Sequence, residues 1–190
     1  MGAARPTERT TGAFRIRPGR RTVCSMSTAP PLHESMVPLA FLLGTWSGPG
    51  RGEYPTIEPF EYLETITITH SGKPNFAYLQ RTVDATSGRP LHAEAGYFRF
   101  PEPDRVELVI AQPSGIVEIQ DGAFTPTSDG GRFDLQAAVV VGSASAKEVT
   151  AVERTILVAG DEMHYELRMA AVGQPLQHHL EATLRRTPPD

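Results

Sequence analysis

The chain has 190 residues, a formal net charge of −4 at neutral pH and one cysteine, Cys24. That length suits a single domain with a substantial core, and the acidic balance gives no basic face for nucleic acid. One cysteine excludes an intramolecular disulfide or a cysteine metal cluster, and no apolar run approaches the ~20 residues of a membrane-spanning helix, so a soluble protein in a reducing cytoplasm is expected.

The charge is unevenly spread. Residues 1–30 carry six arginines against Glu8, a balance of +5, which leaves −9 for residues 31–190. The segment "MGAARPTERTTGAFRIRPGRRTVCSMSTAP" has no hydrophobic period, lacks the apolar stretch of a signal peptide, and shows the Arg and Thr content of a transit peptide without its amphipathic helix. Met26 is an alternative start of translation. Residues 1–31 are therefore expected to form a disordered extension and residues 32–190 the folded domain.

After "MVPLAFLL", which suits one or two helical turns, ten β patterns follow in order: "TWSGPGRGEY", "FEYLETITITH", "FAYLQRTVDA", "LHAEAGYFRF", "RVELVIAQ", "GIVEIQDGAFT", "RFDLQAAVVV", "EVTAVERTILVA", "EMHYELRMAAV" and "LQHHLEATLRRT". The separators, such as "HSGKPN", "ATSGRP", "PEPD" and "SDGG", are turn chemistry. Short connections imply antiparallel pairing of neighbours, and no helical segment of βαβ length intervenes. Period-2 alternation is clear in "EMHYELRM", where Met163, Tyr165, Leu167 and Met169 oppose His164, Glu166 and Arg168. Ten such strands would leave two long edges unless the sheet closes. The expected fold is an all-β, ten-stranded antiparallel up-and-down barrel of lipocalin or fatty-acid-binding-protein shape, wide enough for an interior cavity.

The first strand is unusual. In "GTWSGPGRGEYP", Gly44, Gly48, Gly50 and Gly52 fall on one face together with Trp46. Missing side chains permit either a sharp barrel corner or close approach of a ligand to the backbone. Trp46 reads most simply as a plug for the barrel floor.

This stretch also resembles the Gly-x-Trp-x-Gly-x-Gly-x-Gly-x-Tyr-Pro pattern of the nitrobindin family, carried here by Gly44, Trp46, Gly48, Gly50, Gly52, Tyr54 and Pro55. The likeness continues through "PLHAEAGYFR", "ELVIAQPSGIVEI", "AKEVT" and "AVGQPLQHHL", from about Leu39 to Arg186. It implies a barrel holding one haem b per subunit through one proximal histidine. Ferric haem would convert peroxynitrite to nitrate and ferrous haem would bind nitric oxide, with no nucleic-acid or membrane partner; a homodimer is compatible with this reading. The family motif places the iron ligand at the second histidine of "GQPLQHHL", His179.

Strand alternation prefers its neighbour. His178 shares a face with Leu176, Leu180, Ala182 and Leu184, whereas His179 sits with Gln177, Glu181, Thr183 and Arg185. A β-bulge would reverse that facing; the register of the family motif keeps His179 as the ligand that the resemblance implies, with His178 as the alternative. Of the other histidines, His33 and His70 fall in exposed-looking segments, His164 alternates with wet residues, and His92 suits either face. Thr56 after the first strand and Lys147 in "AKEV" are candidate contacts to the haem edge or a propionate. No group resembling a general acid stands out, so an apolar pocket is expected. Two other readings share the barrel: a carrier of a fatty acid or another small apolar ligand, and a packed interaction barrel.

If the extension is dispensable, deleting residues 1–30 should leave thermal unfolding and haem uptake unchanged, as calorimetry and a visible absorption scan would show.

Overall fold

The computed structural model describes Gly2 and residues 30–188. The expected disordered extension lies outside the described residues except at Gly2, Pro30 and Pro31. A 3-10 helix runs over Glu34–Leu42, and its buried residues Met36, Leu39 and Leu42 recur every third position, the period that this tighter helix requires. The His33 side chain accepts a hydrogen bond from the Ser35 amide at the helix start.

Ten strands follow: β1 (Gly44–Tyr54), β2 (Ile57–His70), β3 (Asn75–Asp84), β4 (Pro90–Arg99), β5 (Arg105–Ala111), β6 (Ile116–Pro126), β7 (Gly130–Gly142), β8 (Val149–Ala159), β9 (Glu162–Ala171) and β10 (Gln177–Thr187). Each pairs antiparallel with its neighbour, and β10 pairs with β1 to close the ring. The turn residues at the separators do what their chemistry suggests: Gly72, Gly88, Gly115, Gly160 and Gly173 take positive φ between strands. Alternation then sorts the side chains, as in β5, where Val106, Leu108 and Ile110 are fully buried and Arg105, Glu107 and Val109 are not.

The interior is layered. The lower end, where the helix enters, is packed with Phe76, Phe98, Phe124 and Phe133 around Leu42 and Trp46. The Phe124 and Phe133 rings stack with centroids 4.9 Å apart, and Phe41 of the helix lies 6.3 Å from both. Trp46 is the floor plug: it is fully buried, its indole N–H donates to the Leu42 carbonyl at 3.0 Å, and the Arg186 guanidinium covers its face at 4.0 Å. Arg186 also donates to the carbonyls of Leu43 and Phe41 and to Asp161, tying the last strand to the helix.

The glycines of β1 make room for the protein's own atoms. A Cβ on Gly50 would overlap the Tyr62 ring, and one on Gly52 would overlap the Phe60 ring, so two aromatic side chains of β2 lie across a strip of bare β1 backbone. A Cβ on Gly48 would meet the Thr183 carbonyl oxygen of β10. The groups that approach this bare backbone are rings and backbone of the barrel itself, and the β1–β2 register is irregular between Gly52 and Tyr54.

Backbone cannot step aside as a flexible side chain can, so Gly48→Ala should destabilise the protein by about 1–3 kcal/mol. For a chain of this size that is a loss of several degrees in Tm, measurable by calorimetry.

Candidate functional site

At the upper end the wall loosens. The β4–β5 ladder covers only Ala95–Arg99 and the β7–β8 ladder only Gly130–Gln136, leaving the upper parts of β4 and β7 unpaired on those sides. Between the splayed strands opens a cavity of about 480 Å³, within the usual range for small-molecule sites. Its apolar lining includes Ile57, Phe60, Leu91, Val152, Leu167, Met169 and Leu180.

His179 lines this cavity and His178 does not. The reason is local. The β10–β9 register passes from His178 opposite Arg168 to Leu180 opposite Leu167, so β10 carries one extra residue at His179. Below this bulge Ala182 and Leu184 keep their inward facing; above it His178 faces outward beside Arg51 and Glu53. The His179 Nδ1 lies 3.0 Å from the Glu53 carbonyl oxygen. A carbonyl only accepts, so Nδ1 carries the proton and Nε2 keeps its lone pair. Burial pulls the His179 pKa below its usual value, which favours that neutral ring. Tyr54 stands edge-on at 5.1 Å and is itself fixed through its hydroxyl by the Ala171 amide at 2.9 Å.

The other expected site residues scatter. Thr56 and Pro55 form the exposed β1–β2 turn beside the cavity mouth, and Lys147 lies exposed in the β7–β8 loop at the same end; none lines the cavity. The cation that does line it is Arg89, on the β3–β4 connection, which the sequence reading did not single out. His33 caps the helix, and His164 is bound at the surface to Thr183. His70 is only partly exposed, with Nδ1 buried and without a hydrogen-bond partner among the described residues, and it is the last residue of β2 rather than part of the turn. His92 lines the cavity.

The expectation of an apolar pocket is corrected by the cavity floor. Glu64, Gln80, Glu94, Glu118, Gln120 and Arg154 are all buried between the cavity and the aromatic floor cluster. The Arg154 fork donates to both Glu94 oxygens, at 3.0 and 2.9 Å, and the Tyr78 hydroxyl adds a third donor at 3.0 Å. Burial alone would raise the Glu94 pKa, but the Arg154 charge overrides it and holds the carboxyl far below its usual range. Glu118, held by Gln112 and Gln120, is raised by burial. Glu64 accepts from Tyr165 at 2.7 Å and Gln80 at 2.9 Å; burial outweighs these bonds and the more distant Arg154 charge and pushes it up to about 7. The sequence carried a signal for this layer: each polar residue stands in phase with the apolar face of its strand, as Glu64 does with Tyr62, Ile66 and Ile68.

Fold and cavity define a ligand-binding antiparallel β-barrel with an imidazole donor set in its mouth. Comparison with known proteins narrows this class. The family model described as "THAP4-like, heme-binding beta-barrel domain" matches residues 35–186. The chain is 52% identical over 155 residues to a protein of Mycobacterium ulcerans named peroxynitrite isomerase 2, covering 82% of this chain and 96% of that one. It is 53% identical over 155 residues to one of Nocardia farcinica named peroxynitrite isomerase, covering 82% and 92%. The crystal structure of Rv2717c from M. tuberculosis superposes with a TM-score of 0.81 at 46% identity, over 83% of this chain and all of that one. The chain belongs to the nitrobindin family of haem-binding barrels.

Glu64 gives a pH signature. Its pKa rises from 4.5 to about 7 on folding, so between those values the folded state holds the extra proton, and the stability this group contributes falls as pH increases. Between pH 4.5 and 8 the wild type should therefore lose about 3 kcal/mol relative to Glu64→Gln, read from urea midpoints.

Proposed function

We propose that this chain binds one haem b through His179, isomerises peroxynitrite to nitrate on the ferric form and binds nitric oxide on the ferrous form. The observation that carries the reading is the His179 ring, a neutral imidazole whose Nδ1 proton is committed to the Glu53 carbonyl and whose Nε2 is left as a donor inside the cavity. That is the arrangement an axial ligand needs, with the second nitrogen fixing tautomer and ring plane. The names of the mycobacterial and nocardial relatives support the reaction.

The remaining lining suits haem b. Aliphatic and aromatic walls match a porphyrin plane, and Arg89 at the mouth offers a cation to the propionates, with Lys147 and Thr56 at the same rim. Bound haem would supply the iron chemistry of the rearrangement. The protein's part would be to grip the ring between its apolar walls and to hold His179 through Glu53 and Tyr54. A homodimer fits the aliphatic outer face formed by Val117, Ile119, Val139 and Val141, which are 40–57% exposed. A cytoplasmic setting fits a chain with one cysteine.

A fatty-acid carrier is disfavoured by the cavity floor. A lipid carboxylate entering head-first would meet Glu94 and Glu118, and the only buried guanidinium among the described residues is already engaged by Glu94.

Two variants decide the ligand. His179→Ala should lose the histidine-bound haem spectrum and peroxynitrite isomerisation, with partial recovery on adding imidazole, while His178→Ala should retain both. The reverse result would move the iron to the outer histidine and sink the assignment.

A further inference from the structure

The substrate of the proposed reaction is an anion, yet four of the residues lining the cavity are carboxylates: Glu58, Asp84, Glu94 and Glu118. Some group must offer the anion a hydrogen bond on the side away from His179. Most of the lining donors are committed elsewhere. Gln80 donates to Glu64, Gln112 to Glu118, and Tyr62 to the Glu181 carbonyl, while the Thr82 hydroxyl bonds the His92 carbonyl. Arg89 stands at the mouth, where the propionates are expected.

His92 remains. It lies on β4, reached from β10 through β1, β2 and β3, four steps round a ring of ten, so it stands nearly opposite His179 across the cavity. Its backbone is pinned in both directions to Thr82, as the His92 amide donates to Thr82 Oγ1 at 3.1 Å and that hydroxyl donates back to the His92 carbonyl at 3.4 Å. Its Nε2 sits 3.6 Å from Glu94 Oε1, an ion-pair distance longer than a hydrogen bond. Nε2 thus turns to the Glu94 carboxylate, while Nδ1 has no hydrogen-bond partner among the described residues. Glu94 in turn is clamped by Arg154 and Tyr78.

We propose that His92 is the residue that hydrogen-bonds the anion on the open side of the haem, and that Glu94, held by the buried Arg154, is its positioning residue. The proposal rests on the reading that His179 ligates the haem. It also gives the buried ion pair a purpose: a carboxylate fixed by a guanidinium fork orients the His92 ring through Nε2 and leaves Nδ1 to the cavity. The role requires no covalent step and no net proton transfer, because isomerisation conserves the atoms and charge of the substrate. His92 acts as the imidazolium, in which both nitrogens donate: Nε2–H faces Glu94 Oε1 and Nδ1–H is left for the anion.

The test uses ferric holoprotein and sodium azide as the anionic probe, with affinity read from the Soret shift and the bound state from the azide infrared stretch. Losing a hydrogen bond to a charged group should weaken azide binding at least about tenfold in His92→Leu, with haem content and histidine-bound spectrum unchanged. His92→Gln, which retains an N–H donor, should fall between. In the double variant His92→Leu/Glu94→Gln the two losses should not add, since Glu94 acts through His92; full additivity would remove Glu94 from the role. Equal azide affinity and an unmoved infrared band in His92→Leu would overturn the proposal, as would loss of haem from that variant. Failure of the His179 reading would appear separately, as an unchanged spectrum in His179→Ala.

Discussion

A strand in a closed sheet offers each side chain only two destinations, the interior or the solvent, and the choice alternates without exception until a residue is inserted. The barrel depends on this constraint throughout. Its ten strands read inward at alternate positions between bulges, and the ring closes because β1 and β10 keep phase with each other. The insertion at His179 is what allows β10 to bury Ala182 and Leu184 below while turning an imidazole into the cavity above. Without that extra residue the inward position would fall to His178, which has neither the Glu53 carbonyl nor Tyr54 to hold it.

The polar belt explains how so wide a barrel keeps a cavity at one end and a dry core at the other. Its bonds cross the lumen: Arg154 of β8 to Glu94 of β4, Tyr165 of β9 to Glu64 of β2, and Tyr62 of β2 to the Glu181 carbonyl of β10. Each tie fixes the distance between walls that no ladder connects. Burying such groups is expensive, and a well-packed apolar layer would often be as stable or more so. An apolar layer would also tend to collapse into the space above it, whereas a hydrogen-bonded partition holds its shape with nothing resting on it.

Much of this was legible in the sequence. Ten strands, their turns, the barrel and Trp46 as floor plug all follow from alternation, turn residues and the need to remove edges. The register at His178 and His179 was not, because a bulge leaves no mark in composition; only the family motif pointed to the second histidine. The polar belt could have been found, since Glu64, Glu94, Glu118 and Arg154 interrupt apolar faces in phase, but a charge on a strand is easily read as solvated. Arg89 was hidden differently: it sits in a turn, and only the three-dimensional closure brings that turn to the cavity mouth. The glycines of β1 signalled close approach correctly, yet nothing local said that the approaching groups would be Tyr62, Phe60 and the Thr183 carbonyl.

The clamp at Arg186 bears on how the molecule is made. This residue, almost the last of β10, closes over Trp46 and the carbonyls of Phe41 and Leu43 near the beginning of the domain. Contacts that span nearly the whole domain cannot form until its last strand has been made, and they are slow to find even then. On the ribosome, the emerging sheet keeps an open seam between its first strand and its growing end until the final strand leaves the exit tunnel. That strand delivers the lock and His179 together. The cavity and its imidazole are thus completed in one event, and a chain truncated before β10 has neither a closed wall nor the His179 ring.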